Sequence, residues 1–194
     1  MKNKFQHIKS DSSIQKSDIF ILMETWLDDD INEYEYKLPG YKMNLNNIGR
    51  GKGIASYYKE ENKHIQNINC EGFSISKLEC LKYDIIGVYR SQSGNVKDLV
   101  LKLESLIING RTTVIGGDIN ICALTNPRNL LSESLREIGF NQVVKQATHI
   151  EGGLLDHVYI KQGEIQTLYI IEEFTKYYSD HDGLSIILWE EEEL

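Results

Sequence analysis

A change in apolar period narrows the fold more than any other feature of this sequence. From Val96 onward apolar side chains recur at three- and four-residue spacing, at Val96, Leu99, Val100, Leu103, Leu106 and Ile107. That spacing predicts an amphipathic helix, stopped near Asn109 and Gly110. A second helix is expected over residues 128–138, with Leu131, Leu135 and Ile138 on one face and Gly139 as its C-terminal stop. Most of the rest reads with the two-residue period of strands. Ile19 to Met23 are five consecutive apolar residues, which fits a strand within 18–26 buried on both faces. Further strands are expected at 41–45, 54–58, 83–89, 112–115, 142–145, 154–160, 166–171 and 184–189, with short antiparallel runs around Ile68, Phe73 to Ile75 and Leu78. Residues 1–17 suggest a modest helix and a loop, and 28–40 an acidic loop closed by Pro39-Gly40. Strands outnumber helices, in mixed order. That favours a layered α/β or α+β sandwich over a strict βαβ repeat.

A chain of 194 residues fits one domain with a real core. It carries 21 Lys and Arg against 29 Asp and Glu, which argues against nucleic-acid binding by bulk charge. A metal-dependent phosphoesterase stays open, because bound cations screen its carboxylates. Glu190 to Glu193 are expected to form a solvated acidic tail (residues 190–194) behind a single domain over 1–189. Three cysteines, Cys70, Cys80 and Cys122, show no metal-ligand or disulfide spacing, so a reducing compartment is the default. No apolar run is long enough to span a bilayer, and the N-terminus lacks a signal-peptide core. The expected location is intracellular, nuclear or cytoplasmic.

The chemistry gathers at strand ends. After the β-branched run Thr112 to Ile115 come Gly116, Gly117, Asp118 and Asn120. The glycines permit a tight turn or a close approach. If the strand continues, Asp118 and Asn120 share a face. Alone, this is an ordinary Gly-Asp-Asn turn. Glu24 follows another apolar run, Tyr89 and Arg90 close a third, Asp156 lies in a fourth, and Asp180 with His181 precedes a fifth. Carboxylates embedded in apolar strands are costly unless paired or bound to a cation, so several of them with a histidine suggest one hard-cation site.

These residues fall into motifs that resemble the exonuclease–endonuclease–phosphatase superfamily, nearest to the endonuclease domains of non-LTR retrotransposons and the apurinic endonucleases. The motifs are Glu24-Thr25-Trp26-Leu27, Gly51-Lys52-Gly53-Ile54, Val88-Tyr89-Arg90, Gly117-Asp118-Ile119-Asn120, Ala147-Thr148-His149 with Gly153 to Val158, and Ser179-Asp180-His181. In order they span nearly the whole chain. The resemblance implies a four-layer α-β-β-α sandwich of two mixed sheets. It implies that Glu24 holds the metal, with Asp180 near it. Tyr89 and Asn120 would contact the phosphate, and Asp118 would orient or deprotonate the attacking water. His181 would sit at the phosphate, oriented by Asp156. Arg90, Thr148, Arg50 and Lys52 would lie on the substrate side. Mg²⁺, or Mn²⁺, is the implied cofactor and DNA the implied substrate. A reverse transcriptase module would be the partner in a parent element, and the protein would be a monomer. One departure stands out: the family's first strand, which ends in an asparagine near the metal, has no counterpart here, which raises the expectation of a truncated chain.

The leading reading is therefore a metal-dependent endonuclease that hydrolyses DNA by in-line attack of water. Its rivals are a catalytically impaired remnant and a phosphatase acting on an inositol phosphate or phospholipid head group. His157 is expected to be structural and His149 a surface or loop residue. Trp26 is expected in the core, and Tyr178 to pack rather than stack on a base.

Overall fold

The computed structural model describes residues 4–27, 30, 32–47, 52–59 and 64–190. Arg50 and residues 191–194 lie outside these. Two short helices, α1 (Phe5–Ser10) and α2 (Ser12–Lys16), stand where one helix and a loop were expected. Asp11 separates them, accepting from the Ser13 amide as the N-cap of α2. β1 is confined to Ile19–Leu22. A 3-10 turn at Glu33–Tyr36 interrupts the acidic loop. β2 (Lys42–Asn46) and β3 (Ile54–Tyr58) follow. β1, β3 and β2 form an antiparallel sheet in that spatial order.

A larger sheet occupies the middle of the chain. Its strands are β4 (His64–Cys70), β5 (Phe73–Glu79), β6 (Tyr83–Arg90), β7 (Thr112–Asp118), β8 (Asn141–Gln142) and β9 (Asp156–Lys161), in the order β4-β5-β6-β7-β9-β8. The pair β6 and β7 is parallel; the others are antiparallel. The parallel pair is joined by α3 (Val96–Leu106), as a parallel connection requires a crossover. Asn95 caps α3 through its side chain, and Asn129 does the same for α4 (Leu130–Glu137). Leu99, Leu103, Leu131 and Leu135 pack both helices onto Ile75, Ile86, Val88 and Ile115 of the sheet.

The last two strands, β10 (Thr167–Phe174) and β11 (Gly183–Glu190), form an antiparallel hairpin of their own. Leu184, Ile186 and Leu188 of β11 pack with Val114 and Val158 of the large sheet. Phe5 and Ile8 of α1 pack on Ala55 and Tyr57 of β3. The layers are therefore helices α3 and α4, the six-stranded sheet, a second strand layer, and helices α1 and α2.

The second strand layer departs from the expectation of one mixed sheet. Among the described residues it consists of two separate antiparallel pieces, β1-β3-β2 and β10-β11. All four residues of β1 are consequently only half-buried, although all are apolar. Glu190 also departs from the expected tail. It ends β11 opposite Thr167 and pairs with Lys82 at 2.6 Å. No described helix is long and apolar enough to cross a membrane.

Candidate active site

Asp118 is the last residue of β7 and Asp156 the first of β9, and the two face each other in register. This places two carboxylates side by side at one end of the large sheet. Gly117 is needed to reach that geometry. Its φ is +148°, and a Cβ there would stand 2.0 Å from the Val88 carbonyl oxygen. The glycine thus serves a close approach of β7 to β6, not an approach to a ligand.

Asp118 is buried, 5% exposed. One carboxylate oxygen accepts from the Asn120 amide N–H and the other from the Asn120 side-chain NH₂, both at 3.0 Å. Asn120 sits at φ +54°, a left-handed conformation that asparagine tolerates better than most residues. Its NH₂ also donates to the Arg90 carbonyl at 2.8 Å. Burial pushes the Asp118 carboxyl up to about 7, helped by the negative charges of Asp156 and Glu24 and opposed by His181 and the Asn120 amide. Like charges drawn into one buried place behave this way.

His181 lies two residues before β11. Its Nδ1 is 2.7 Å from an Asp156 carboxylate oxygen. That bond raises the imidazole to about 9, against burial and with further help from Asp118 and Asp180. His181 is therefore charged at neutral pH, Nδ1 donates to Asp156, and Nε2 carries a second proton. The segment 148–150 holds this pair in place. His149 bridges to His181 across a single backbone pair, and Ile150 N–H donates to the Asp180 carbonyl. The His149 ring also meets the His181 ring edge-on at 4.8 Å. Reading His149 as a surface or loop residue gives no sign of this half-buried contact. Its place in the Thr148-His149 motif was the available signal.

Glu24 follows β1 at φ +49°. Its carboxylate accepts from the Tyr89 hydroxyl at 2.8 Å, which joins the end of β1 to the end of β6. Burial, the Glu24 bond and the charges of Glu24 and Asp118 all push the Tyr89 phenol well above its usual value, so it remains a donor. Trp26 has φ +53° and is 51% exposed, contrary to its expected place in the core. The chain turns after Leu22 instead of staying extended, and the ring swings out.

Several residues expected to meet substrate have other partners. Arg90 is buried, and its guanidinium donates to the carbonyls of Gly94, Ile119 and Gln92. It staples the loops after β6 and β7. Thr148 is fully buried, and its hydroxyl accepts from the Leu155 and Asp156 amides at 3.2 and 3.0 Å. It fixes the backbone of Asp156. Asp180 points outward with its side chain 65% exposed, 4.0 Å from His149 Nε2. Lys52 is exposed, one residue before Gly53, whose carbonyl accepts from the Thr25 amide. It thus lies near the Glu24 segment. His157 is fully buried between Tyr159 and the Ile121 carbonyl, a structural role as expected. Tyr178 is half-buried and bonds Asp11, whereas Tyr177 is 81% exposed. Among the described residues no three of His, Cys, Asp and Glu converge closely enough to cage a metal alone.

Two tests follow from this geometry. Thr148→Val leaves two half-buried amides without an acceptor. It is expected to cost about 2 kcal/mol, read as a lower urea midpoint, with slower catalysis through a displaced Asp156. The second concerns pH in protein freed of metal by chelation. His181 is raised above its ordinary 6.5, so its stabilisation is complete below pH 6.5 and is lost as pH rises through about 9. Asp118 is also raised, so its contribution is lost earlier, as pH rises through about 7. Stability should fall by about 2 kcal/mol across the His181 window, with allowance for its partial exposure. His181→Gln should flatten that limb of the thermal-melt profile and move the lower one to higher pH, because the positive charge that opposes the rise of Asp118 is gone.

Comparison with known proteins bears on the fold. No protein-family model and no curated protein matches the chain. Solved structures do match. The endonuclease domain of TRAS1, a telomere-specific non-LTR retrotransposon, superposes with a TM-score of 0.66 at 12% identity, covering 95% of this chain and 90% of that one. An AP endonuclease from Archaeoglobus fulgidus gives 0.65 at 16%, covering 94% and 91%. The 3′ phosphatase NExo from Neisseria, bound to product DNA hairpin, gives 0.67 at 12%, covering 96% and 93%.

Proposed function

We propose that this chain, which has the fold of the endonuclease/exonuclease/phosphatase proteins, is a divalent-metal-dependent phosphodiesterase that nicks DNA, an endonuclease of the retrotransposon type. The observation that carries the proposal is the meeting of Asp118, Asp156 and His181 at the joined ends of β7, β9 and β11, with Glu24 and Tyr89 beside them. Neighbours of this fold are named as acting on DNA, and so a phosphodiester is the substrate class the fold favours.

The residues present fit a hard cation. Asp118 is pushed up to about 7 by burial first and then by the negative charges of Asp156 and Glu24, and a bound cation would offset those charges. Mg²⁺ or Mn²⁺ needs only one or two protein carboxylates, the rest of its shell being water and substrate oxygen, so no protein cage is required. Glu24 would hold the ion, with Asp180 at its edge. Such an ion supplies Lewis-acid polarisation of the phosphoryl oxygen and charge for the leaving alkoxide.

The chain's own residues supply the remainder. Asp118, once ionised, accepts the proton of a water whose oxygen attacks phosphorus in line while the bond to the leaving oxygen breaks. The Asn120 carboxamide, locked by Arg90 and Asp118, orients that water. His181, held charged by Asp156, donates from Nε2 to a non-bridging phosphate oxygen as negative charge builds. Tyr89 has one hydroxyl proton, now given to Glu24, and would turn it to the phosphate from the other side once Glu24 holds the ion. Lys52 suits a contact to the DNA backbone, as does Arg50, outside the described residues. Exposed Trp26 and Ile150 beside the site offer faces for bases.

Relaxation of supercoiled plasmid tests this reading. The protein with Mg²⁺ should convert supercoiled DNA to nicked circles, and EDTA should stop it. Absence of nicking with Mg²⁺ and with Mn²⁺ would overturn the endonuclease reading.

A further inference from the structure

Two sheets end on the same side of the molecule. β4 closes the six-stranded sheet and β2 the three-stranded one. Among the described residues no strand pairs with β4 on the side away from β5, nor with β2 on the side away from β3. The two edges lie against each other. Asn44 of β2 and Asn67 of β4 exchange side-chain hydrogen bonds, NH₂ to carbonyl in each direction, at 3.0 and 3.1 Å. Asn44 also donates to the Ser76 hydroxyl of β5, which meets the Ser56 hydroxyl of β3. Asn44 is the middle residue of β2 and Asn67 the middle residue of β4. The midpoints of the two edges are therefore stacked one over the other.

The ladders fix which main-chain groups face outward. Ser91 N–H donates to the Gly72 carbonyl and Cys80 N–H to the Tyr83 carbonyl, one step beyond either end of the β5–β6 ladder. Antiparallel bonds fall on alternate residues, so the even-numbered residues of β5 bond β6 and the odd-numbered ones bond β4. With Gln66 opposite Lys77, the even-numbered residues of β4 bond β5, and the N–H and C=O of Ile65, Asn67 and Asn69 turn outward. In the smaller sheet, Lys59 N–H donates to the Asp18 carbonyl, so the odd-numbered residues of β3 bond β1 and the even-numbered ones bond β2. With Ser56 opposite Asn44, the N–H and C=O of Met43 and Leu45 turn outward. Natural sheets guard such edges with charge, proline or a bulge. β4 holds no Lys, Arg, Asp, Glu or Pro, and its register is unbroken. β2 has only Lys42, at its start. Neither edge carries a carboxylate, although the chain has a net charge of -8. Two copies can therefore meet here without the repulsion that the rest of the surface imposes.

We propose that the chain forms a two-fold dimer through these edges, its axis perpendicular to the layers and passing between the paired Asn67 residues in one layer and the paired Asn44 residues in the other. In the large sheet, Asn67 exchanges both main-chain bonds with Asn67 of the second copy, and Ile65 does so with Asn69 of the second copy. In the smaller sheet, Met43 exchanges bonds with Leu45 of the second copy. That gives about six main-chain bonds in one layer and about four in the other. A two-fold contact must be self-complementary, and an antiparallel pair centred on its own middle residue meets that condition. A single extended peptide could cover only one edge, whereas a second copy covers both, because one axis serves both midpoints. The acid cluster at the ends of β7 and β9 stays open, since β5 and β6 stand between it and β4. Such a dimer departs from the monomer that the family resemblance implies.

Sedimentation velocity on the full chain tests this, with amide exchange followed by NMR. A contact between strand edges buries less than the ~1,200 Å² of a lasting interface, so half of the chain is expected as dimer near about 50 μM. Exchange at Ile65, Asn67, Asn69, Met43 and Leu45 should slow about tenfold with rising concentration, whereas Gln66 and Ile68 are protected throughout. Asn69→Pro removes an outward N–H without touching the β5 ladder, and should weaken the dimer about tenfold. If this variant fails to fold by circular dichroism, Asn67→Lys replaces it, setting two ammonium groups face to face at the axis with the same expected loss. A monomer up to about 500 μM would overturn the proposal. So would a dimer that Asn69→Pro or Asn67→Lys leaves unchanged, and protection confined to β4 would overturn the shared axis. No readout depends on catalysis, so the result stands apart from the proposed activity.

Discussion

His181→Ala is expected to slow phosphodiester cleavage about a thousandfold while the fold persists. General acid–base groups contribute about 10²–10⁴, and a charged donor aimed at developing negative charge is worth a similar factor. His181 combines the two conditions for a large effect. The Asp156 bond at 2.7 Å fixes the ring and holds it charged, and Nε2 remains for substrate. Its side chain is 27% exposed, so truncation removes little packing. Asp156→Asn should cost less, about tenfold to a hundredfold, because the imidazole stays while its charge and orientation weaken. Initial rates of plasmid relaxation, with circular dichroism to confirm folding, separate these outcomes. A His181→Ala rate within threefold of the parent would remove this residue from the chemistry.

The largest effect on stability should come from the other end of the large sheet. Lys77, in the middle of β5, is 2% exposed. Its ammonium donates to the Leu106 carbonyl at 2.8 Å and pairs with Glu79 at 2.9 Å and Asp84 at 3.3 Å. Leu106 closes α3, so the ammonium meets a helix-end carbonyl that has no partner within the helix. Asp84 is wholly buried and shares its charge between Lys77 and Arg111. Lys77→Ala removes one of two cations from a buried carboxylate, deprives Leu106 of its donor, and opens a cavity. Breaking a buried pair on one side costs about 3–5 kcal/mol, and we expect this variant within that range by urea denaturation. Lys77→Met should recover less than half, since most of the loss lies in charge rather than volume. A loss below about 1 kcal/mol would mean that the cluster behaves as a surface ion pair.

Some of this arrangement was legible in the residues and some was not, for identifiable reasons. Asp118, Asp156 and His181 stand beside apolar runs that become strands, and strand ends meet wherever strands share a sheet, so their convergence could be read from spacing. The amphipathic helix was legible because its apolar face repeats over three turns. Arg90 was not legible as a staple. Its partners Gly94 and Gln92 are local, but the Ile119 carbonyl comes from another strand's end, and only the folded chain brings it near. Thr148 was placed on the substrate side by its motif, yet sequence does not say which way a threonine hydroxyl turns. Trp26 was misplaced because an extended β1 was carried past Leu22, whereas left-handed conformations at Glu24 and Trp26 reverse the faces. The division of the second layer had one visible sign: the five-residue apolar run Ile19 to Met23 reads as a strand buried on both faces, whereas β1, its first four residues, is only half-buried.

The central claim is that Asp118 and His181, 63 residues apart in sequence, act on one phosphodiester as one site. Initial nicking rates for Asp118→Asn, His181→Ala and the double variant test it most directly. Groups that act as a unit lose their effect together, so the double variant should be about as slow as the slower single one. Effects that multiply would show two independent contributions, and unchanged nicking in all three would place the chemistry elsewhere on the protein.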